Sequence, residues 1–558
     1  MFRISRRAAF AALAITVAAG FTASAEAQST LTPPKVITAS PTGINMVDGT
    51  FTTSATDLSI GALTLERSYL GGPETSSKRF GPNWTHNYDI WITWRNASMT
   101  HEATTTVIIG REKYVYYGLP ASAVPQSDEE DTSLQVVSGN YVFTNRNGVV
   151  YTINGTSRDV NIRHPNGLNV DVVRLNGLPK LVTANDGSAL VFDYSGTSVS
   201  AACAFNLSQN YVSTSTTCAT AALKTTYQYT SGNLTEATDV RGNTAHYNYG
   251  TYGSQKITCL TDPGTTTCKI NNYYVSGRNN VEHQVLADGS NWYFYCSCSG
   301  TGGRSDGDID FPDDNSSWTD PAGNSVSFDY HGYVLVSFTD QRGLQYLPTY
   351  FGRYLTSVTS PEGNKAVIGS RDDRFPYYIF YPKPNSGLTT ITQGAQTFPA
   401  QPCASSATCY LPLTISDAKG NVTDFAYDQT HGGVLSTMGP APAAGSARPL
   451  KLNTYVQKYA YILNSGGSLT QASSPIWLLA TETQCQTAAG SNAATCDPAA
   501  PITVTSYEYG ADGTADNLRP RGVVVSSGGV SLRTCYGYNW KGNKIWVTSP
   551  RAGLSVCQ

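Results

Sequence analysis

The residues best suited to chemistry lie in a few short stretches. "SDGDIDFPDDN" sets carboxylates at Asp306, Asp308, Asp310, Asp313 and Asp314, an alternation like that with which calcium loops gather oxygen ligands. Counted from Asp306, the sixth place is Phe311 and the twelfth is Ser317; an EF-hand needs glycine and a bidentate glutamate there. A calcium site on Asp306, Asp308 and Asp310 and a solvated acidic loop both remain open. In "NWTHNYD", His86 stands three residues before Asp89 and could serve as a base; a core histidine satisfied by hydrogen bonds is the plainer reading. "HEATT" (101–105) lacks the second histidine of a zinc-protease helix, and no G-x-S-x-G elbow, phosphate loop or dinucleotide fingerprint occurs. No catalytic set is assembled, so a non-enzymatic chain is expected, with no cofactor unless calcium occupies the acidic stretch.

Cysteine supplies the other reactive groups. All 12 follow the first 27 residues, which read as an export signal: Arg3, Arg6 and Arg7, an apolar run, then "ASA" or "AEA". Arg6–Arg7 also fits a twin-arginine signal. The chain is expected in the periplasm, at the cell surface or outside the cell, where disulfides persist. Short separations suggest local pairs: Cys203 with Cys218, Cys259 with Cys268, Cys403 with Cys409, Cys485 with Cys496 and Cys535 with Cys557. Cys296 and Cys298, in "CSC", are left without an evident partner. Metal binding is the rival for this set, but no C-x-x-C occurs and histidines number only 7.

The elements that must position these groups read as strands. Charged residues make up 14% of the chain, while Gly (51) and Tyr (35) are abundant, which favours strands and tight turns over helices. A net charge of -3 gives no basic field for nucleic acid. No later apolar run reaches the ~18 residues of a membrane helix. After the signal (1–27), residues 28–165 read as an all-β domain of short alternating segments. From 166 to 438 one phrase recurs: "TDVRGNTAHYNYG" (238–250), "TDPAGNSVSFDY" (319–330), "TDQRGLQYLPTY" (339–350) and "SDAKGNVTDFAYD" (416–428). Asp239–Gly242, Asp320–Gly323, Asp340–Gly343 and Asp417–Gly420 each place Asp first and Gly fourth in a turn. Tyr247 and Tyr249, or Phe328 and Tyr330, then share one strand face, as Tyr427 does with Phe425. Each hairpin leaves an aromatic face that neighbours must cover. Residues 439–558 carry degenerate copies interrupted by "GPAPAAGSARPLKL" and a cysteine-bearing "TQCQTAAGSNAATCDPAAP".

"YQYTSGNLTEATDVRGNTAHYNYG" (227–250) resembles the tyrosine–aspartate (YD) repeat of Rhs proteins and teneurins. "LTLERSYLGG" followed by "FGPNWTHNYDIWI" is similar to the segment that opens bacterial Rhs-repeat proteins. The resemblance covers most of the mature chain. It implies a spiralling antiparallel β-sheet shell, often closed around a toxin, and a structural role for the His86 element. The chain stops at Gln558 in repeat-like text, with no proline–aspartate core motif and no recognisable toxin. The expectation is therefore an exported scaffold or shell segment that presents or partly encloses a β-rich polypeptide, such as a separately encoded toxin or continuation. An open, curved sheet capped at one end by the N-terminal domain is expected. The alternative is a carbohydrate-binding or carbohydrate-active envelope protein that uses exposed rings.

Overall fold

The structure, a computed structural model, describes residues 39–71, 79–98, 102–125, 132–250, 255–298, 313–331, 334–351, 354–371, 374–384, 386, 391–400, 403–539 and 541–557. The chain is nearly all β: 41 strands and two short 3-10 turns make up its regular structure among these residues. One antiparallel ladder runs in chain order from Ser133–Val137 to Lys544–Val547. It skips only Tyr461–Leu463 and Leu469–Gln471, which pair with each other. Its end strands are not paired with one another among the described residues, so the sheet is not a closed barrel.

The turns between strands follow from the repeated phrase. In the first copy, Asp239 Oδ1 accepts from the backbone N–H groups of Arg241 (2.8 Å) and Asn243 (2.9 Å), and Gly242 N–H donates to Asp239 O. Gly242 takes φ +85°, a conformation side chains resist. Asp320, Asp340 and Asp417 repeat this arrangement, with Gly323, Gly343 and Gly420 at φ +85°, +76° and +79°.

The other end of the hairpin is fixed by tyrosine. Register shifts fall immediately before Tyr194, Tyr229, Tyr249, Tyr274, Tyr330, Tyr350, Tyr427, Tyr455, Tyr509 and Tyr538. Such bulges bend and twist a strand. At most of them the hydroxyl reaches back to a carbonyl at or near the preceding strand: Tyr194 to Pro179 (2.6 Å), Tyr229 to Val199 (2.7 Å), Tyr274 to Ile257 (2.8 Å), Tyr427 to Pro412 (2.8 Å) and Tyr538 to Pro520 (2.9 Å). Most of these hairpins thus carry a repeated bend with its own clasp.

Repeated bending winds the ladder until early hairpin tips meet later strands. Trp477 N–H donates to Asn166 O (2.9 Å), and Leu463 N–H to Leu207 O (2.8 Å). Asn185 Nδ2 donates to Ser474 Oγ (2.9 Å), and Asn206 Nδ2 to Asp516 Oδ1 (2.9 Å). Gly167 lies so close to Pro475 O that a Cβ would clash.

The N-terminal segment differs from the expectation of a separate domain capping one end. The long ladder begins at Ser133, not at 166, because the short alternating strands from there onward simply extend its hydrogen bonding. Residues 44–71 and 79–95 lie across one face of the ladder and share a single core with it, from Ile44 and Trp84 to Phe328 and Leu335. The opposite face is buried locally, where a loop pinned by the bridge between Cys203 and Cys218 covers Leu181, Val191 and Ala201.

Candidate functional site

The most elaborate cluster of polar and aromatic groups lies where the N-terminal segment meets the ladder. Strand Leu63–Leu70 delivers Arg67, whose residue exposure is 1%. Its Nε and Nη2 bind Asp57 at 2.9 and 3.0 Å, a forked pair suited to a planar guanidinium. Nη2 also donates to Tyr247 Oη (3.1 Å), and Tyr227 Oη donates to Asp57 Oδ2 (2.7 Å). Arg67 Cζ sits 4.5 Å from the Trp84 ring and 5.3 Å from that of Tyr247, within cation–π range. Burial opposes the charge on Arg67, but Asp57 and Tyr247 outweigh it and raise its pKa. Trp84 meets Tyr247 edge-on at 5.1 Å, and its Nε1 donates to Tyr249 Oη (3.0 Å). This cluster can clamp two parts of one chain; it presents no exposed nucleophile or base.

The histidine raised as a possible base belongs to the same packing. His86 is 1% exposed, 3.3 Å from Asp89, and lies between Phe80 and Phe192. Solvent does not reach it, so it cannot serve a dissolved substrate.

The rings of the repeat follow a pattern that sequence reading only partly caught. Two residues before seven of these ten tyrosines stands another aromatic residue: Phe192, Tyr227, Tyr247, Phe328, Phe425, Tyr507 and Tyr536. The first four are buried, and three of them meet His86, Phe80 and Trp84 of the N-terminal segment. Tyr330 is buried beside Phe328, and Tyr427 beside Phe425. Phe425, Tyr507 and Tyr536 are only half-buried. Neighbouring hairpins were expected to cover the rings; in the first half the N-terminal segment covers Phe192, Tyr227 and Tyr247. The signal was an aromatic–x–Tyr triplet just before a turn, as in "FDYSG", "YQYTSG" and "YEYG".

One set of exposed rings packs on itself. Tyr273, His283 and Tyr293 stack on one another across three strands at 4.9 and 4.8 Å. The central ring, His283, therefore has both faces covered, whereas a sugar needs a free ring face.

Six disulfides close among the described residues. Five are the pairs suggested by spacing: Cys203 with Cys218, Cys259 with Cys268, Cys403 with Cys409, Cys485 with Cys496, and Cys535 with Cys557. The sixth corrects the reading that left "CSC" unpartnered, since Cys296 and Cys298 bond to each other. No cysteine is then free to ligate a metal, so the metal reading of this set falls away. Asp306, Asp308 and Asp310 lie outside the described residues; among those described, no group of three or more His, Cys, Asp or Glu is placed to hold a metal ion. A cavity of about 270 Å³ opens at the seam between early tips and later strands, lined by Asp186, Asn206, Asp516, Asn517 and Arg519 together with apolar residues such as Ile60 and Ile476. No helix among the described residues is long and apolar enough to cross a membrane, which says nothing of a β-barrel.

Fold and site together define a β-repeat sheet with an N-terminal segment locked onto one face. Residues 42–109, which include that segment, match the family model described as Domain of unknown function (DUF6531). No curated protein matches the chain. Among solved structures, the chain is similar to the Photorhabdus luminescens Tc holotoxin pore, at 10% identity and a TM-score of 0.35, over 88% of this chain and 27% of that one. It is also similar to the TcdB2-TccC3 complex, at 10% identity and a TM-score of 0.29, over 92% of this chain and 30% of that one. The chain spans less than a third of the length of these structures.

Proposed function

We propose that the chain is a non-enzymatic, exported scaffold of Rhs/YD-repeat type, whose wound sheet presents or partly encloses another polypeptide. One observation carries this reading. Where an aromatic residue stands two before a bulge tyrosine, it is buried in the first half of the ladder, with Phe192, Tyr227 and Tyr247 against the N-terminal segment, yet Phe425, Tyr507 and Tyr536 are half-buried at the equivalent positions of the second half. Among the described residues the extended core reaches Leu335, and a small cluster of Met438, Leu450 and Cys485 closes further along. Half-covered rings repeating along a sheet suit a β-rich partner that brings rings and cations of its own, as residues 44–71 and 79–95 do. The six disulfides fit assembly in an oxidising compartment.

The test is site-specific crosslinking in the exporting cell. A photoreactive residue at Tyr507 or Tyr536 is expected to capture one recurrent polypeptide, while the same residue at Tyr293, on the exposed ladder, captures none. Absence of capture at both second-half positions, or binding to glycans on an array, would overturn the reading.

A further inference from the structure

Five of the disulfides join residues separated by 6 to 22 positions, whereas Cys296–Cys298 spans only two. A bridge restrains the unfolded chain less as its loop shortens, so this one does least to hold the fold together. Its placement suggests another use. Cys296 is the last residue of strand Asn291–Cys296 and lies opposite Ser316. Ser297 N–H still bonds Asn315 O (2.9 Å), but the chain then leaves the strand. Residues i and i+2 of a strand share a face and lie about 6.6 Å apart; here the two Cα atoms are 5.0 Å apart. The bridge therefore holds the chain out of the extended path that strand Asp313–Thr319 offers it.

What the bridge touches is the seat of the N-terminal segment. Cys298 Sγ lies 3.4 Å from Val47 O, and a Cβ on Gly49 would come within 3.2 Å of Cys296 Cβ. The same short stretch is anchored by Asn280 Nδ2 to Asp48 O (2.7 Å), Val281 N–H to Gly49 O (2.9 Å) and Ser316 Oγ to Met46 O (2.6 Å). Cys298 is buried, whereas Cys296 is half-buried, so an incoming thiolate meets the Cys296 sulfur first.

We propose that Cys296–Cys298 is a thiol–disulfide exchange site that takes a dithiol reductant and controls how firmly residues 46–50 are seated. One thiolate of the dithiol attacks Cys296 Sγ and forms a mixed disulfide, while the S–S bond to Cys298 breaks. Cys298 leaves as a thiolate and takes a proton. The second thiol of the reductant then displaces Cys296, which is released as a thiol. The protein gains two electrons and two protons, and the dithiol is oxidised to its disulfide. Freed of the bridge, Ser297 and Cys298 can extend along strand Asp313–Thr319, away from Val47.

The experiment treats the secreted full-length protein with graded dithiothreitol, traps thiols by alkylation and maps them by mass spectrometry, with amide exchange followed in parallel. Cys296 and Cys298 are expected to be alkylated at reductant levels at least about tenfold below those that open any other bridge. Amide exchange at 46–50 is expected to rise over the same range. The double variant Cys296→Ser with Cys298→Ser should show the raised exchange without reductant while keeping its other five bridges. Reduction of this pair only together with the others, its isolation as free thiols under oxidising conditions, or unchanged exchange at 46–50 in the reduced protein or the variant would each overturn the proposal.

Discussion

A tyrosine that closes a bulge acts through its hydroxyl as much as its ring. Burial raises the pKa of Tyr194, Tyr229 and Tyr427, and lifts that of Tyr509 to about 12, so all remain donors at ordinary pH. Tyr229→Phe removes the donor to Val199 O and is expected to cost about 1 kcal/mol in urea unfolding. Tyr293→Phe, on the exposed ladder, should be silent by the same measurement. The turn carboxylates act in the opposite pH range. The Asn324 side chain holds Asp320 below its usual pKa, and the Asn421 side chain does the same for Asp417, with backbone N–H groups adding to each. A folded pKa below the unfolded one means stability that is complete above about pH 4 and is lost as pH falls through the folded value. Acid titration of the unfolding midpoint should therefore be flatter for Asp320→Asn with Asp417→Asn than for the parent.

At the scale of the hairpin, backbone conformation sets the limits. A Cβ on Gly242, Gly323 or Gly420 would meet nothing within 4 Å, so any penalty there comes from positive φ alone. Gly→Val at each is expected to cost about 1–3 kcal/mol in chemical denaturation, and Gly→Asn less, because asparagine tolerates that region. These turns were legible because Asp and Gly at fixed spacing specify their own hydrogen bonds locally. Five disulfides were legible for a similar reason: short separations, such as Cys403 to Cys409 or Cys485 to Cys496, leave few partners. The bulges were not. A bulge is a mismatch between two strands, and a tyrosine in sequence does not show which carbonyl its hydroxyl will find. The N-terminal segment misled for the same reason; its short alternating strands read as an independent domain, and nothing in them shows that Trp84 and Arg67 meet Tyr227 and Tyr247, far along the chain. Cys296–Cys298 escaped because an extended strand keeps such residues too far apart to bond.

For the molecule as a whole, Arg67 joins the two parts. Arg67→Ala leaves Asp57 buried without its cation and is expected to destabilise by about 3–5 kcal/mol, while Arg67→Met with Asp57→Leu should recover part of the loss. Equal unfolding midpoints for the parent and Arg67→Ala would show that the segment is not locked through this pair. The winding of the ladder has another consequence, which concerns how such a chain can change length. Tips at Asn166, Asn185 and Asn206 meet partners near 477, 474 and 516, so every hairpin between tip and partner counts toward their alignment. Adding or deleting one hairpin would move all later partners past their tips by a strand pair, while a longer connecting loop would move none. The two interruptions, at 439–448 and 487–502, are of this harmless kind: each sits between paired strands and leaves the ladder's order intact. Genes for such sheets should therefore gain and lose residues freely in their loops, and hairpins only in numbers that complete a circuit.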